Sequence, residues 1–319
     1  METVTLARNA MNTRFELVLH GENAASLRAA AEEALTEVER IESRLSLFRP
    51  GSEIARVNAF AAHEAVRVSP EVFTLLAQAQ QLSAETGGAF DITMAPLLRC
   101  WGLLGKSDGS IPTAEELARA RAICGMNLVG LDRPSFTVRF ARAGVMLDLG
   151  AIGKGYAVEK AAEILRETGV TSALIHGGTS TVYAIGTPTD SDAWKIAIDH
   201  PAGAASAANP LATVTLRDES ISISAISGKC FTANGRTLGH VIDPRTGEPA
   251  TRALLTAVVL PSATETDALS TALLVAGVAG QEGLVALRPA MRTLVVAAGT
   301  GTGPECSARG IELSRPTGV

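Results

Sequence analysis

The 319-residue sequence has few cysteines, few aromatic residues and no excess of basic residues. Its cysteines are far apart and include no Cys-x-x-Cys pair, which argues against a zinc site or a disulfide framework and fits a reducing compartment. They are Cys100, Cys124, Cys230 and Cys306. With 4% aromatic residues and a net charge of −5, the chain lacks the basic surface and stacking platforms of a nucleic-acid-binding protein. We therefore expect no nucleic-acid partner.

Long apolar runs are also lacking. The N-terminus shows no apolar segment of signal-peptide length, and stretches such as residues 269–277 are too short to cross a membrane. We expect no transmembrane segment. The expected location is cytoplasmic for the sequence as given, and periplasmic or membrane-associated if an export leader has been removed.

Apolar residues make up 46% of the chain and charged residues 19%, which is typical of an ordered globular protein. Apolar residues recur at helical spacing over residues 23–47, 70–86, 113–124 and 265–276. Thr113, with Glu116 three residues later, predicts a capping box at the start of the third of these helices. Short strands are predicted at 3–7, 14–20, 172–176, 181–185, 194–199, 212–216, 254–260 and 293–298. This mixture predicts an α+β fold with antiparallel strands, in one domain over residues 1–305 followed by a frayed tail at 306–319.

The most informative stretch is residues 147–160. An apolar run at 145–149 predicts a strand, and residues 157–165 have the composition of a helix. Between them lie Gly150, Gly153 and Gly155, with Lys154 as the only cation of the turn. Free N–H groups at a helix N-terminus next to a lysine would bind an anion. The alternative is a tight strand-to-helix turn without a ligand.

Asp267 and Thr271 are four residues apart at the start of a predicted helix, so both project from one face. A carboxylate and a hydroxyl supply two of the hard oxygen ligands that Mg²⁺ prefers. The alternative is a capping arrangement, because Thr264 precedes Asp267 by three residues and an acidic residue stabilises a first turn.

Other candidate residues lie on loops. His240, shortly before Asp243, can act as a general base, or it is a hydrogen-bonded strand residue. The glycines at residues 87–88 allow close approach of a ligand, and Asp91 can accept a hydrogen bond from a ring N–H; a helix C-cap with an Asx turn fits equally well. Phe48 covers a flat ligand or packs in the core.

Together these segments resemble the ApbE family of FAD:protein FMN transferases. The resemblance rests on motifs that occur in family order over almost the whole chain from residue 4 to about residue 300. The most specific are Gly-Ala-Phe-Asp-Ile-Thr at 88–93, His-Val-Ile-Asp-Pro-Arg-Thr-Gly at 240–247 and Asp-Ala-Leu-Ser-Thr-Ala-Leu at 267–273.

The resemblance implies a compact α+β domain with mixed and antiparallel sheets, flanking helices and a central FAD cleft. It implies Mg²⁺-dependent transfer of FMN from FAD to a Ser or Thr hydroxyl of an acceptor protein, with release of AMP. The residues implied are Asp267, Thr271 and the backbone oxygen of Ala151 for the metal; Lys154, Met11, Phe48, Ala89, Phe90 and Asp91 for the FAD; and His240 for activating the acceptor hydroxyl.

The chain departs from the family pattern at three places. Residues 225–229 read Ala-Ile-Ser-Gly-Lys where many members have Ser-Gly-Asp-Tyr-Glu, Thr179 replaces an acidic or amide residue, and Asn12 replaces a glycine. These changes concern acceptor docking and flavin-ring contacts more than the metal. Two alternatives therefore stay open: a Mg²⁺-dependent FAD pyrophosphatase that forms FMN and AMP, and a non-catalytic flavin-binding protein.

Overall fold

The computed structural model describes residues 1–105, 111–201, 210–226, 230–233, 236–299 and 304–314. The chain groups into two units, which are described separately. The first unit consists of Met1–Glu39, Lys154–Ser227 and Arg252–Val319, and the second of Arg40–Gly153 and Gly228–Thr251. The sequence predicts one domain over residues 1–305. The strands and helices of that range belong partly to the first unit and partly to the second.

The first unit is built on an antiparallel sheet, in which eight strands are described. Their order across the sheet is β1-β2-β6-β7-β10-β13-β14-β15. The bounds are β1 Glu2–Ala10, β2 Thr13–Gly21, β6 Ala173–Gly177, β7 Thr181–Ile185, β10 Glu219–Ala225, β13 Leu255–Leu260, β14 Arg292–Ala297 and β15 Glu305–Arg309. A separate antiparallel pair joins β8 Trp194–Ile198 to β9 Ala212–Leu216.

The turn between β1 and β2 contains two residues, Met11 and Asn12, with φ of 50° and 58°. A two-residue hairpin turn with positive φ at both positions matches the twist of its strands, and asparagine tolerates this backbone better than most residues. Asn12 therefore tolerates a backbone conformation that glycine, the residue of the family pattern at this position, also adopts readily.

The large sheet buries different side chains on its two faces. On one face, strand residues such as Val182, Ile221 and Val259 share an apolar cluster with Trp194 and Val214 of the β8–β9 pair. The other face of β10 carries serines that contact helix α7 (Ala263–Ala276). The alternation follows from the two-residue period of a strand.

Three further helices run through or into the first unit: α1 Ala24–Leu45, of which residues up to Glu39 belong to this unit, α6 Gly153–Glu167 and α8 Val278–Leu287. Helix α7 is buried on almost all sides, including polar residues such as Thr264, Thr266 and Ser270. A helix buried all round must satisfy its polar side chains inside the protein.

The second unit contains helices α2 Glu53–Phe60, α3 Pro70–Glu85, α4 Ala95–Cys100 and α5 Ala114–Arg121, and a short 3₁₀ helix at Met126–Leu128. Its strands are β3 Val66–Arg67, β4 Val129–Asp132 and β5 Thr137–Phe140 in one sheet, and β11 Cys230–Ala233 with β12 Arg236–Gly239 in another. Leu97 and Trp101 pack with Leu117 and Ile242 in an apolar cluster. The Trp101 indole N–H donates to the Gly247 carbonyl at 2.7 Å.

The predicted strand at residues 145–149 is corrected by the structure, which has no strand there. Leu147 exchanges two hydrogen bonds with the side chain of Asn58, and the Asp148 N–H donates to the Ile92 carbonyl. The backbone groups that a strand would pair with another strand are thus satisfied by a side chain and a loop carbonyl. The sequence also predicts a short strand that begins at Gly239 and is stopped by Pro244. In the structure Ile242 of this segment forms an isolated bridge with Pro249.

The tail also differs from the prediction. Residues 305–309 form strand β15 beside β14, and Leu313 bridges to Ala212. The glycine-rich sequence before this segment predicts a frayed tail. The segment is instead held by its backbone pairing with β14 and by the partial burial of Cys306 and Ala308. Residues 315–319 lie outside the described part of the chain.

In the described part of the chain, no helix combines the length and the apolar character that a membrane crossing requires.

We predict that Thr113→Ala lowers the free energy of unfolding by about 0.5–2 kcal/mol, the usual effect of losing an N-cap. Thr113 and Glu116 form the capping box that the sequence predicts at the start of α5. Thr74→Ala is the matched control, because the Thr74 hydroxyl donates within α3 to the Pro70 carbonyl and caps nothing. Urea unfolding measures both; equal losses from the two variants would contradict the capping role.

Candidate active site

The start of helix α6 lies against the start of helix α7 in the first unit. A Cβ added at Gly155 would overlap the Ala263 carbonyl and would lie 2.7 Å from the Asp267 Cβ. The Gly155 N–H donates to Asp267 Oδ2 at 2.9 Å. One turn later, Glu159 Oε2 accepts from the Ser262 hydroxyl at 2.7 Å and from the Thr264 N–H at 2.8 Å. Glycine at position 155 is required by this close approach.

Asp267 is 4% exposed, yet it has cationic and polar partners. Besides the bond from Gly155, its Oδ1 lies 3.6 Å from the Lys154 Nζ. The helix is capped by Ser262, whose hydroxyl accepts from the Glu265 N–H, so the capping alternative for Asp267 is excluded. Asp267 is thus a buried carboxylate that one N–H and one lysine stabilise and that does not cap the helix.

Thr271 lies one turn beyond Asp267 and is half-buried. Its Oγ1 donates to the Asp267 carbonyl at 3.3 Å and lies 3.5 Å from Ser224 Oγ. Thus Lys154 and Thr271 both contact Asp267 within the first unit, and their roles toward a metal or FAD stay predictions from the resemblance.

The donor set at this point suits a hard cation. It consists of the Asp267 carboxylate and the Thr271 hydroxyl, and Mg²⁺ takes one or two protein oxygens and completes its shell with water and phosphate. Among the residues described, no group of three or more His, Cys, Asp or Glu side chains that could hold a metal ion is found, so a cation here would depend on these two side chains and on water or phosphate oxygens. The Gly155 cradle holds the carboxylate in place, so the residues present fit magnesium.

The turn before α6 differs from the predicted anion site. The N–H of Gly150 donates to Asp148 Oδ1, those of Ile152 and Gly153 donate to the Leu149 carbonyl, and that of Gly155 is taken by Asp267. Most amides of the turn are therefore used within the protein and cannot hold an anion. The Lys154 ammonium in this turn lies 3.6 Å from Asp267 Oδ1, and its binding of a phosphate stays a prediction. Ala151 lies in this turn, half-buried, in the second unit.

The loop around Phe48 turns out to have a structural role at most of its polar positions. Ser52 caps α2, and Glu53 pairs with Arg44 at 2.8 Å. The Asn58 side chain makes two hydrogen bonds with the Leu147 backbone: its Nδ2 donates to the Leu147 carbonyl at 2.9 Å, and its Oδ1 accepts from the Leu147 N–H at 2.7 Å. Phe48 itself is 74% exposed, which excludes the core-packing alternative.

Asp91 follows the two glycines that end α3. Gly87 and Gly88 both have positive φ, and the Gly88 N–H donates to the Ser83 carbonyl, as in a helix C-cap. Asp91 Oδ1 accepts from the Thr93 N–H and hydroxyl at 2.7 and 2.6 Å, and Oδ2 accepts from the Met126 N–H at 3.0 Å. The cap and Asx-turn interpretation is therefore present in the structure.

Burial raises the pKa of Asp91, while the hydrogen bonds from Thr93 and Met126 oppose that rise. With Ala89 and Phe90 also buried, side chains of this motif offer little to a ligand. Their assignment to FAD binding stays a prediction from the resemblance, and it would have to use the backbone of the loop.

A cavity of about 470 Å³ in the second unit is lined by residues of this loop and of two others. The loop residues include Gly88 and Asp91, and Cys124 and Arg245 come from the other two. Burial raises the pKa of the Cys124 thiol from 9.0 to about 12, despite a hydrogen bond with the Leu97 backbone. The cavity is thus lined by an inert thiol and by a carboxylate whose bonds are internal.

Arg245 forms a paired contact with Asp243, through Nε–Oδ1 and Nη2–Oδ2 distances of 2.9 and 2.8 Å. The Gly247 N–H donates back to the Asp243 carbonyl, so residues 243–247 form a closed turn. His240 is half-buried just before this turn and has its own interaction partners. Its role as a base stays a prediction.

The other positions singled out in the sequence lie in turns and in the altered segment. Met11 lies half-buried in the β1–β2 turn, and Thr179 is exposed between β6 and β7. Of the altered segment, residues 225 and 226 are described and residues 227–229 lie outside the described part of the chain.

Three contributors to the site were missed from the sequence: Asn58 as a backbone clamp, Glu159 as a partner of α7, and Ser224 beside Thr271. Only Ser224 had a local signal. Residues 220–224 read Ser-Ile-Ser-Ile-Ser, an alternation that predicts one polar face along a strand.

The chain is similar to known proteins over most of its length. The profile of the ApbE family matches residues 11–295. A Treponema pallidum protein named FAD:protein FMN transferase is 31% identical over 268 residues, which cover 80% of this chain and 73% of that protein. A protein of the same name from Haemophilus influenzae is 29% identical over 285 residues, covering 86% of this chain and 81% of that protein.

Solved structures agree with the fold. The crystal structure of the ApbE protein from Thermotoga maritima is similar with a TM-score of 0.87 and 27% identity, and it covers 97% of both chains. The flavin transferase ApbE from Vibrio cholerae gives a TM-score of 0.83 and 25% identity, again covering 97% of both chains. The predicted α+β fold with antiparallel sheets is confirmed.

We predict that Gly155→Ala lowers the free energy of unfolding by about 1–3 kcal/mol, because the new methyl overpacks the contact between α6 and α7. Gly283→Ala in α8 is the control, since a Cβ there meets nothing within 4 Å. It should stabilise the helix by about 0.5–1 kcal/mol. Denaturant unfolding compares the two; a stabilising Gly155→Ala would show that the approach is not tight.

We predict that Cys124 is alkylated at pH 8 about 10³-fold more slowly in the folded protein than in urea, because a thiol pKa near 12 leaves that much less thiolate. The rate should rise about tenfold per pH unit. Mass spectrometry of the Cys124 peptide after iodoacetamide treatment measures both. Equal rates in the folded and unfolded protein would disprove the burial of this thiol.

Proposed function

Because the chain belongs to the ApbE family, we propose that it transfers the FMN part of FAD to a Ser or Thr hydroxyl of an acceptor protein and releases AMP. The name of its relatives and the fold support flavin transfer. The observation that carries the finer proposal is the cluster of Lys154, Asp267 and Thr271, in which the buried Asp267 carboxylate lies 3.6 Å from the Lys154 Nζ and the Thr271 hydroxyl donates to the Asp267 carbonyl.

Phosphoryl transfer needs charge neutralisation and alignment more than covalent help from the protein. Asp267 and Thr271 would hold a magnesium ion, which when bound supplies charge stabilisation to the diphosphate. Lys154 adds a positive charge on the first turn of α6 and would bind a phosphate oxygen. The Gly155 N–H keeps the Asp267 carboxylate oriented throughout.

In the proposed reaction, the acceptor hydroxyl oxygen forms a bond to the FMN phosphorus while the bond from that phosphorus to the bridging oxygen breaks. AMP leaves with the bridging oxygen. His240 would take the proton of the hydroxyl, an effect usually worth about 10² to 10⁴ in rate. The resemblance also assigns the backbone oxygen of Ala151 to the metal. It assigns five further residues to FAD binding: Met11, Phe48, Ala89, Phe90 and Asp91.

One assay separates this function from its alternatives. The protein is incubated with FAD, Mg²⁺ and a flavin-acceptor domain, with EDTA in a parallel sample. AMP release and flavin fluorescence of the acceptor on a denaturing gel are then followed. A fluorescent acceptor together with AMP supports transfer. AMP and free FMN without a labelled acceptor support a pyrophosphatase. If neither AMP nor a labelled acceptor forms, both enzyme functions are excluded and a non-catalytic flavin-binding protein is supported. Activity that survives EDTA would remove the metal from the proposal.

We predict that Asp267→Asn lowers the rate of FMN transfer by about 10²-fold or more, because a lost metal ligand removes several kcal/mol of transition-state stabilisation. Glu265→Gln is the matched control. Glu265 is an acid of the same helix whose carboxylate pairs with Arg288 at 2.6 Å. The control should retain transfer within about twofold of the wild type. Full activity in Asp267→Asn would rule out its role as a ligand.

A further inference from the structure

Helix α7 and strand β10 are joined by a row of hydroxyl groups. Ser222 Oγ lies 2.8 Å from Thr266 Oγ1, and Ser224 Oγ lies 2.9 Å from Ser270 Oγ. Ser222 and Ser270 are almost fully buried, so these hydroxyls must satisfy one another. Ser224 is the member of the row that also lies near Thr271, at 3.5 Å.

Each hydroxyl has one proton, which fixes the direction of the bonds around Ser224. The Ser270 hydroxyl donates to the Asp267 carbonyl at 3.0 Å. With the Ser270 proton on the Asp267 carbonyl, Ser224 is the donor in the pair that it forms with Ser270. Having used its proton there, Ser224 can act only as an acceptor toward Thr271.

The same accounting orients the Thr271 hydroxyl. Its proton has two acceptors on the protein side, the Asp267 carbonyl at 3.3 Å and Ser224 Oγ at 3.5 Å. A neutral hydroxyl that binds a cation does so with a lone pair and still needs an acceptor for its proton. The arrangement gives Thr271 that acceptor and leaves its lone pairs available.

We propose that Ser224 is a positioning residue that keeps the Thr271 hydroxyl oriented toward a bound magnesium ion. The inference rests on the proposed function, because Asp267 and Thr271 are there assigned to the metal. It adds a residue that acts through Thr271 and does not itself touch the metal or the substrate.

Ser222 provides the matched control for a merely structural role. It lies two residues earlier on the same face of β10 and makes an equal number of hydroxyl contacts, donating to Thr181 Oγ1 at 3.1 Å and contacting Thr266. Neither Asp267 nor Thr271 is among these partners. If the row served only to attach β10 to α7, the two serines would be equivalent in a metal-binding experiment.

The test is calorimetric titration of the full-length protein with Mg²⁺ alone, supported by the Mg²⁺ dependence of FMN transfer. Ser224→Ala should weaken Mg²⁺ binding about three- to tenfold, the change expected for one neutral hydrogen bond. It should raise the Mg²⁺ concentration for half-maximal transfer by the same factor. Ser224→Thr, which keeps the hydroxyl, should bind Mg²⁺ within about twofold of the wild type.

Ser222→Ala should lower the thermal midpoint and leave Mg²⁺ binding unchanged. Ser224→Cys, which keeps the shape of the side chain with a weaker acceptor, replaces Ser224→Ala if that variant does not fold, and it too should weaken binding. Unchanged binding in the folded Ser224 variant, or equal weakening in Ser222→Ala, overturns the inference alone. A wild-type protein that neither binds Mg²⁺ nor transfers FMN overturns the proposed function and the inference with it.

Discussion

The close approach of α6 to α7 is the interaction on which the candidate site depends. Gly155 lets the helices approach until its N–H reaches the Asp267 carboxylate, and Glu159 accepts two bonds from the start of α7. Because a buried carboxylate is costly without such partners, this contact explains how Asp267 is kept inside the protein. Thr271 is then positioned by the helix itself, one turn further along the same face.

The acidic residues of the second unit have a different role. Asp91 joins the end of α3 to the segment at 125–126, and Asp243 closes a turn with Arg245. Both carboxylates are used to shape loops around a cavity. In chemical terms, the first unit offers oxygen ligands and a lysine, while the second offers a formed cavity whose lining residues Asp91 and Arg245 are already hydrogen-bonded within the protein.

Local sequence signals predicted the elements that depend on neighbouring residues. The alternation in β1 and β2, the capping box of α5 and the glycines that end α3 belong to this group. That the Leu147 backbone would not form a strand could not be predicted locally. Its hydrogen bonds are made with the side chain of Asn58, which is 89 residues away in the sequence. The pairing of Asp267 with Gly155 spans 112 residues, and only the family resemblance brought these segments together.

The order of strands in the large sheet also constrains how the chain is made. Strand β2 pairs with β6, and residues 22–172, which include most of the second unit, separate them. At roughly 5–20 residues per second, a ribosome needs about 8 to 30 seconds to synthesise the residues that separate the two strands. During that interval the β2 edge of the hairpin at residues 2–21 lacks its neighbour, and an unpaired strand edge can pair with other chains.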